Sequence, residues 1–137
     1  MRAIELLGRH WPELGPLALA ELDGGGALAI SRGSAPKTYA HKDPNEDAAL
    51  LVRLPAGVLL AVADGFNGVE AAELAIARAR ALAEPLLLAS GTAFRVRVCE
   101  LLDDVRTRLP KGSESRSLEN EAQLATGTEI AGRTVGV

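Results

Sequence analysis

Aromatic residues make up only 3% of this 137-residue chain. Its core must therefore be built from Leu, Val, Ile and Ala. Aromatics are also too few to interleave with basic residues, which is the pattern that stacks nucleic-acid bases. The net charge is −3, with acids and bases interspersed. Both features argue against a nucleic-acid partner. Cysteine occurs once, at Cys99, so no disulfide framework forms within the chain. A reducing compartment is expected, and the cytoplasm is its default. Long hydrophobic runs are missing too. The apolar stretches at 58–63 and 85–89 fall far short of the roughly 20 residues that cross a bilayer. Glu5, His10 and Glu13 break up the N-terminus, which does not read as a signal peptide. No membrane partner is expected.

What is present is enough apolar residue, 47%, for one domain with a modest core. Residues 1–25 form an N-terminal segment of ambiguous type. Ile4-Glu5-Leu6-Leu7 suits either a short helix or an edge strand, and Pro12 and Pro16 interrupt anything longer. The run 24–26 is three glycines, a loop signal, and 26–30 reads as a short strand. Residues 47–54 read as a strand, 55–57 as a turn, and 58–63 as a strand covered on both faces.

Residues 68–88 place Ala72, Ala75, Ile76, Ala79, Leu82, Ala83 and Leu86 on one helical stripe, with Asn67 as its cap and Pro85 weakening its last turn. Residues 92–109 repeat the pattern with Phe94, Val98, Leu101, Leu102, Val105 and Leu109. There Asp104 and Arg108 pair at i, i+4 on the wet side, and Cys99 is expected to be a buried small hydrophobe. After Pro110 the pattern fades. Residues 26–110 are expected to be the folded unit and 111–137 a poorly ordered tail.

The chemistry concentrates at Asn45-Glu46-Asp47 and Asp64-Gly65, the two outer ends of the 47–63 hairpin. Two registers are open. A three-residue loop pairs Leu54 with Val58 and sets Glu46 diagonal to Asp64 on one face. A two-residue loop shifts the pairing by one and sets Asp47 directly opposite Asp64. Either register brings one acid beside Asp64. Like charges that close need compensation, and a hard divalent cation with oxygen ligands supplies it. The absence of a Cys or His cluster favours Mg2+ or Mn2+ over zinc. Solvated loop acids are the plainer alternative.

These residues resemble a known family. The run Lys42-Asp43-Pro44-Asn45-Glu46-Asp47, a strand pair, then Val62-Ala63-Asp64-Gly65-Phe66-Asn67-Gly68 and Glu73-Leu74-Ala75 are similar to the motifs of type 2C, metal-dependent serine/threonine protein phosphatases. The resemblance spans about 26–109 and implies an α+β fold: an antiparallel β-sandwich flanked by helices, of which only the N-terminal half is present. It implies a hydrolase with a two-metal Mg2+ or Mn2+ centre. In that centre Asp64 bridges the ions, the Gly65 carbonyl ligates one, and Glu46 and Asp47 act directly or through water. A metal-activated water attacks the phosphorus of a phosphoserine or phosphothreonine protein substrate. Lys42 stands where the family has a phosphate-gripping Arg, and Lys acts there as a point charge without the bidentate fork. Phe66 replaces a His found in some members. The family's two downstream aspartates have no counterpart, since Asp103 and Asp104 fall on a helix. A truncated, divergent or frame-altered domain is therefore expected, with weak turnover or none, or else a non-catalytic relative that binds a cation or phosphoprotein. Exposed sheet edges in such a domain favour self-association.

Overall fold

A computed structural model describes residues 1–36, 43–65 and 68–109. The expected tail at 111–137 lies outside them, as do Lys42, Phe66 and Asn67. The described chain is a mixed α+β fold with two antiparallel sheets and three α-helices.

Strands β1 (Arg2–Leu7), β4 (Ala48–Leu54) and β5 (Gly57–Ala63) form a three-stranded sheet in the order β1-β4-β5. Strands β2 (Leu17–Glu21) and β3 (Ala27–Ser31) form a separate hairpin. A one-turn 3-10 helix, Gly8–His10, follows β1. The N-terminal segment thus resolves to strand, with Ile4 paired to Leu51 and Leu6 to Ala49. Strand β2 had no clear sequence signal. Its leucines Leu17 and Leu19 point outward, 65% and 62% exposed, while the inward positions are the small Ala18 and half-buried Ala20.

Strand β4 carries the core on both of its faces, because its alternate residues point to opposite sides. Ala48, Leu50 and Val52 join Leu59, Ala61 and Ala63 of β5 against the helices. Ala49 and Leu51 join Leu6, Ala18, Leu28 and Ile30 under the β2-β3 hairpin. The expectation of two covered faces therefore fits β4 better than β5. On β5 only the helix side is fully buried, and Val62 on the other side is 44% exposed.

The single helix expected over 68–88 is two: α1 (Glu70–Ala81) and α2 (Ala83–Leu88), broken at Leu82. Pro85 sits in the first turn of α2, where its missing N–H costs nothing. The cap position of α1 is Val69, without a side-chain cap, and Asn67 lies outside the described residues. Helix α3 (Thr92–Arg108) follows the expected stripe, with Leu101 and Val105 buried and Phe94, Val98, Leu102 and Leu109 packed around them. Cys99 is exposed, contrary to expectation. It lies one residue past Val98, a rotation of about 100° that carries it off the stripe. Asp104 is not simply on the wet side. It is half-buried between α3 and α1, bonded to Arg78 and, at 2.7 Å, to Arg108. No described helix is long and apolar enough to cross a membrane.

Candidate metal centre at the start of β4

The β4-β5 ladder pairs Leu54 with Gly57 and Ala48 with Ala63. The loop is therefore the two-residue Pro55-Ala56. Extended by one step past the ladder, this register sets Asp47 opposite Asp64, the second of the two arrangements open in the sequence. The three-residue loop, which set Glu46 diagonal to Asp64, is not formed. Asp64 is exposed and Asp47 half-buried. Glu46 and Asn45 are almost wholly enclosed, at 0% and 1% exposure.

Burial of that kind requires the polar groups to find partners. The Asn45 side-chain amide donates to the Trp11 carbonyl at 3.3 Å. Its Oδ1 lies 3.5 Å from the Asp47 amide, a weak turn-closing contact. The Asp43 amide donates to Glu46 Oε1 at 3.2 Å. On the β1 side, the Gly8 amide donates to the Asp47 carbonyl at 2.7 Å, adding one rung beyond the β1-β4 ladder.

Two glycines make this fit possible. A Cβ on Gly8 would fall 2.5 Å from Asn45 Oδ1 and 2.7 Å from the Asp47 carbonyl oxygen. A Cβ on Gly65 would collide with the Glu46 carbonyl oxygen. The acidic segment is thus pressed between the 3-10 turn on one side and the end of β5 on the other. Arg9 of that turn also reaches Glu73 of α1 at 3.0 Å, so the Glu-x-Ala segment of the helix is tied to the same corner. Gly8, Arg9 and Trp11 had no functional signal in the sequence. Their role depends on β1 lying beside β4, a pairing 40 or so residues apart that local periodicity does not encode.

The donor set here is Asp47 and Asp64 carboxylates with Glu46 and the Gly65 carbonyl close behind them in the chain. All are hard oxygen donors, the kind Mg2+ and Mn2+ accept. Among the described residues, no three His, Cys, Asp or Glu side chains converge closely enough to hold an ion by themselves. A cation would therefore rest on one or two carboxylates, completed by carbonyls and water, which is common for Mg2+. Lys42 lies outside the described residues. Asp103 is exposed on α3 and Asp104 is occupied by Arg78 and Arg108, so neither stands in for a further ligand.

No protein-family model matches the chain, and no match is found among curated proteins or solved structures.

Proposed function

We propose that the corner formed by Glu46, Asp47, Asp64 and Gly65 is a divalent-cation site of a metal-dependent phosphomonoester hydrolase, of the serine/threonine protein phosphatase type. The observation that carries this reading is the β4-β5 register, which directs Asp47 and Asp64 to facing positions at the ends of adjoining strands. Positions opposite one another on adjoining strands put two carboxylates within the span of one hard cation, which takes oxygen ligands of this kind. The motif resemblance adds the reaction class and the finer architecture, a β-sandwich flanked by helices of which this chain supplies the first half.

In this reading Asp64 and Asp47 are the ligands that meet solvent, and so the ones a cation reaches first. The Gly65 carbonyl is fixed because Gly65 lies against the Glu46 backbone. Buried Glu46 holds the turn from Asp43 closed and keeps the acidic segment in register. Lys42, at the mouth of that segment in sequence, supplies positive charge for a substrate phosphate. A bound Mg2+ or Mn2+ supplies a water of lowered pKa as nucleophile.

One observation favours a second reading, a non-catalytic cation- or phosphoprotein-binding relative. No third acidic side chain joins the pair among the described residues, and two-metal hydrolysis needs more ligands than two carboxylates.

Manganese titration by calorimetry, with phosphate release from a phosphothreonine peptide, tests both. Binding that Asp64→Ala abolishes, with weak or no turnover, is the expected result. Turnover lost in Asp64→Ala establishes the enzyme. Binding without turnover establishes the second reading. Failure of Mn2+ and Mg2+ to bind at millimolar concentration would remove the proposal altogether.

A further inference from the structure

The three-stranded sheet has two edges, and the chain guards only one of them. The β1 edge carries Arg2 and Glu5. Arg2 Nη1 donates to the Asp23 carbonyl of the β2-β3 loop at 3.2 Å. Arg53, opposite Arg2 on β4, donates to the Gly25 carbonyl of the same loop at 3.4 Å. Glu5 is paired with Arg80 of α1. Charges placed this way discourage a further strand. The other edge is β5, Gly57-Val58-Leu59-Leu60-Ala61-Val62-Ala63, with neither a charge nor a proline. Among the described residues it pairs with β4 alone. That ladder runs unbroken from Gly57 to Ala63, so no bulge turns the edge away.

The register says which backbone groups the β5 edge offers. The Gly8 amide bonds the Asp47 carbonyl. Odd-numbered residues of β4 therefore turn their N–H and C=O toward β1, and even-numbered ones toward β5. The partners of the even-numbered residues are Gly57, Leu59, Ala61 and Ala63. Val58, Leu60 and Val62 are left directing both backbone groups away from β4. Among the described residues no other backbone group bonds them. None of the three is buried, and Val62 is 44% exposed.

We propose that the β5 edge is an interface between two copies of this chain, joined as an antiparallel β5-β5 pair about a two-fold axis at Leu60. That axis sets Leu60 opposite Leu60 and Val58 opposite Val62 of the other copy. Every outward-directed residue then meets another, and each such pair exchanges both hydrogen bonds. A slip of one residue sets outward groups against inward ones and loses these bonds. The side chains that meet are all aliphatic and lie on one face, so half-exposed Val62 gains an apolar neighbour. Asp64, one step beyond the strand, falls opposite Ala56. The two acidic corners therefore lie at opposite ends of the join and do not repel. A second copy is favoured over a charged peptide, for which this strand has no complementary group. The guarded β1 edge stops the pairing at a closed dimer. The interface does not depend on the cation site.

The test is sedimentation velocity of the full chain from about 10 µM to about 1 mM, where so small an interface should dimerise with a dissociation constant of about 100 µM. Amide exchange followed by NMR reads the register. The amides of Val58, Leu60 and Val62 should slow about 5-fold across that range, while those of Leu59, Ala61 and Ala63 are slow throughout. Val62→Lys should weaken the dimer about 10-fold or more and leave the urea midpoint near that of the parent. Leu19→Lys, on the exposed face of the β2-β3 hairpin, should leave the dimer intact. A monomer at every concentration, growth beyond the dimer, or a dimer indifferent to Val62→Lys would overturn the interface. Loss of the dimer in Leu19→Lys would move the join to the hairpin and overturn it too. Outward amides already slow at the lowest concentration would mean that another segment of the same chain covers the edge, with the same consequence. Should Val62→Lys not fold, the exchange pattern of the parent chain decides alone.

Discussion

The two ends of β4 solve opposite problems. At its start, Asn45 and Glu46 are buried, and the segment is gripped on both sides by backbone. At its end, Arg53 is exposed, and its neighbour is a loop whose shape depends on three glycines. Buried polar groups carry their desolvation cost into every alternative geometry, so the acidic corner is over-determined. Solvated arginines carry little such cost, and their placement is a matter of local loop shape. Substitutions that disturb the buried backbone of the acidic end should therefore cost more stability than those at the arginine end.

The sharpest way to break this comparison is a matched pair of glycine substitutions. Gly65→Ala places a methyl group into the Glu46 carbonyl, backbone against backbone, and neither side has a rotamer to relieve it. A loss of about 3 kcal/mol is expected. Gly24→Ala meets only the flexible ends of two arginines, so its cost is the left-handed conformation, about 1 kcal/mol. Urea unfolding of the two variants checks the difference. Equal losses would mean that the acidic corner relaxes as freely as the loop.

Asn45→Ala comes next in size. It removes the bond to the Trp11 carbonyl and leaves that region of the 3-10 turn without its anchor. The expected loss is about 1.5 kcal/mol. If the acidic corner is held as described, cation affinity should fall as well, because Asp47 follows Asn45 in the same pinned segment. A stability loss with intact affinity would mean that Asn45 serves the fold alone.

How much of this was legible from the chain depends on the range of the contact. The β4-β5 hairpin was readable because Pro55 and Gly57 mark its turn, and the two strands adjoin in sequence. Its register was narrowed to two choices, and the backbone geometry of the loop decided between them. The stripe on α3 was readable because 3.6-residue periodicity is local. Strand β2 was not, since its outward leucines and inward alanines invert the usual pattern. The break at Leu82 was blurred because the apolar stripe runs through it from Ala79 to Ala83 and Leu86. Gly8 and Trp11 were silent because their partners lie more than 30 residues away. Glu46 was expected to act as a ligand; its complete burial, with its backbone against Gly65 and Oε1 accepting from the Asp43 amide, left no local trace.

A third charged cluster sharpens the contrast from the other direction. Arg78 and Arg108 converge as Arg2 and Arg53 do, but here Asp104 sits between them. The hydrogen bond from Arg108, followed by the charges of Arg108 and Arg78, holds the Asp104 carboxyl below its usual value of 3.8, against the opposing effect of desolvation. A carboxyl with a lowered folded-state pKa contributes stability that is fully present above its unfolded value. That contribution disappears as pH falls through the folded value. Asp104→Asn should therefore lower the urea midpoint slightly near neutral pH, and the gap from the parent chain should close well below 3.8. The effect is the smallest considered, because the pair is open to solvent screening. A gap that persists unchanged in acid would mean that Asp104 joins α1 to α3 by packing and neutral hydrogen bonds. The charge between the two arginines would then matter little.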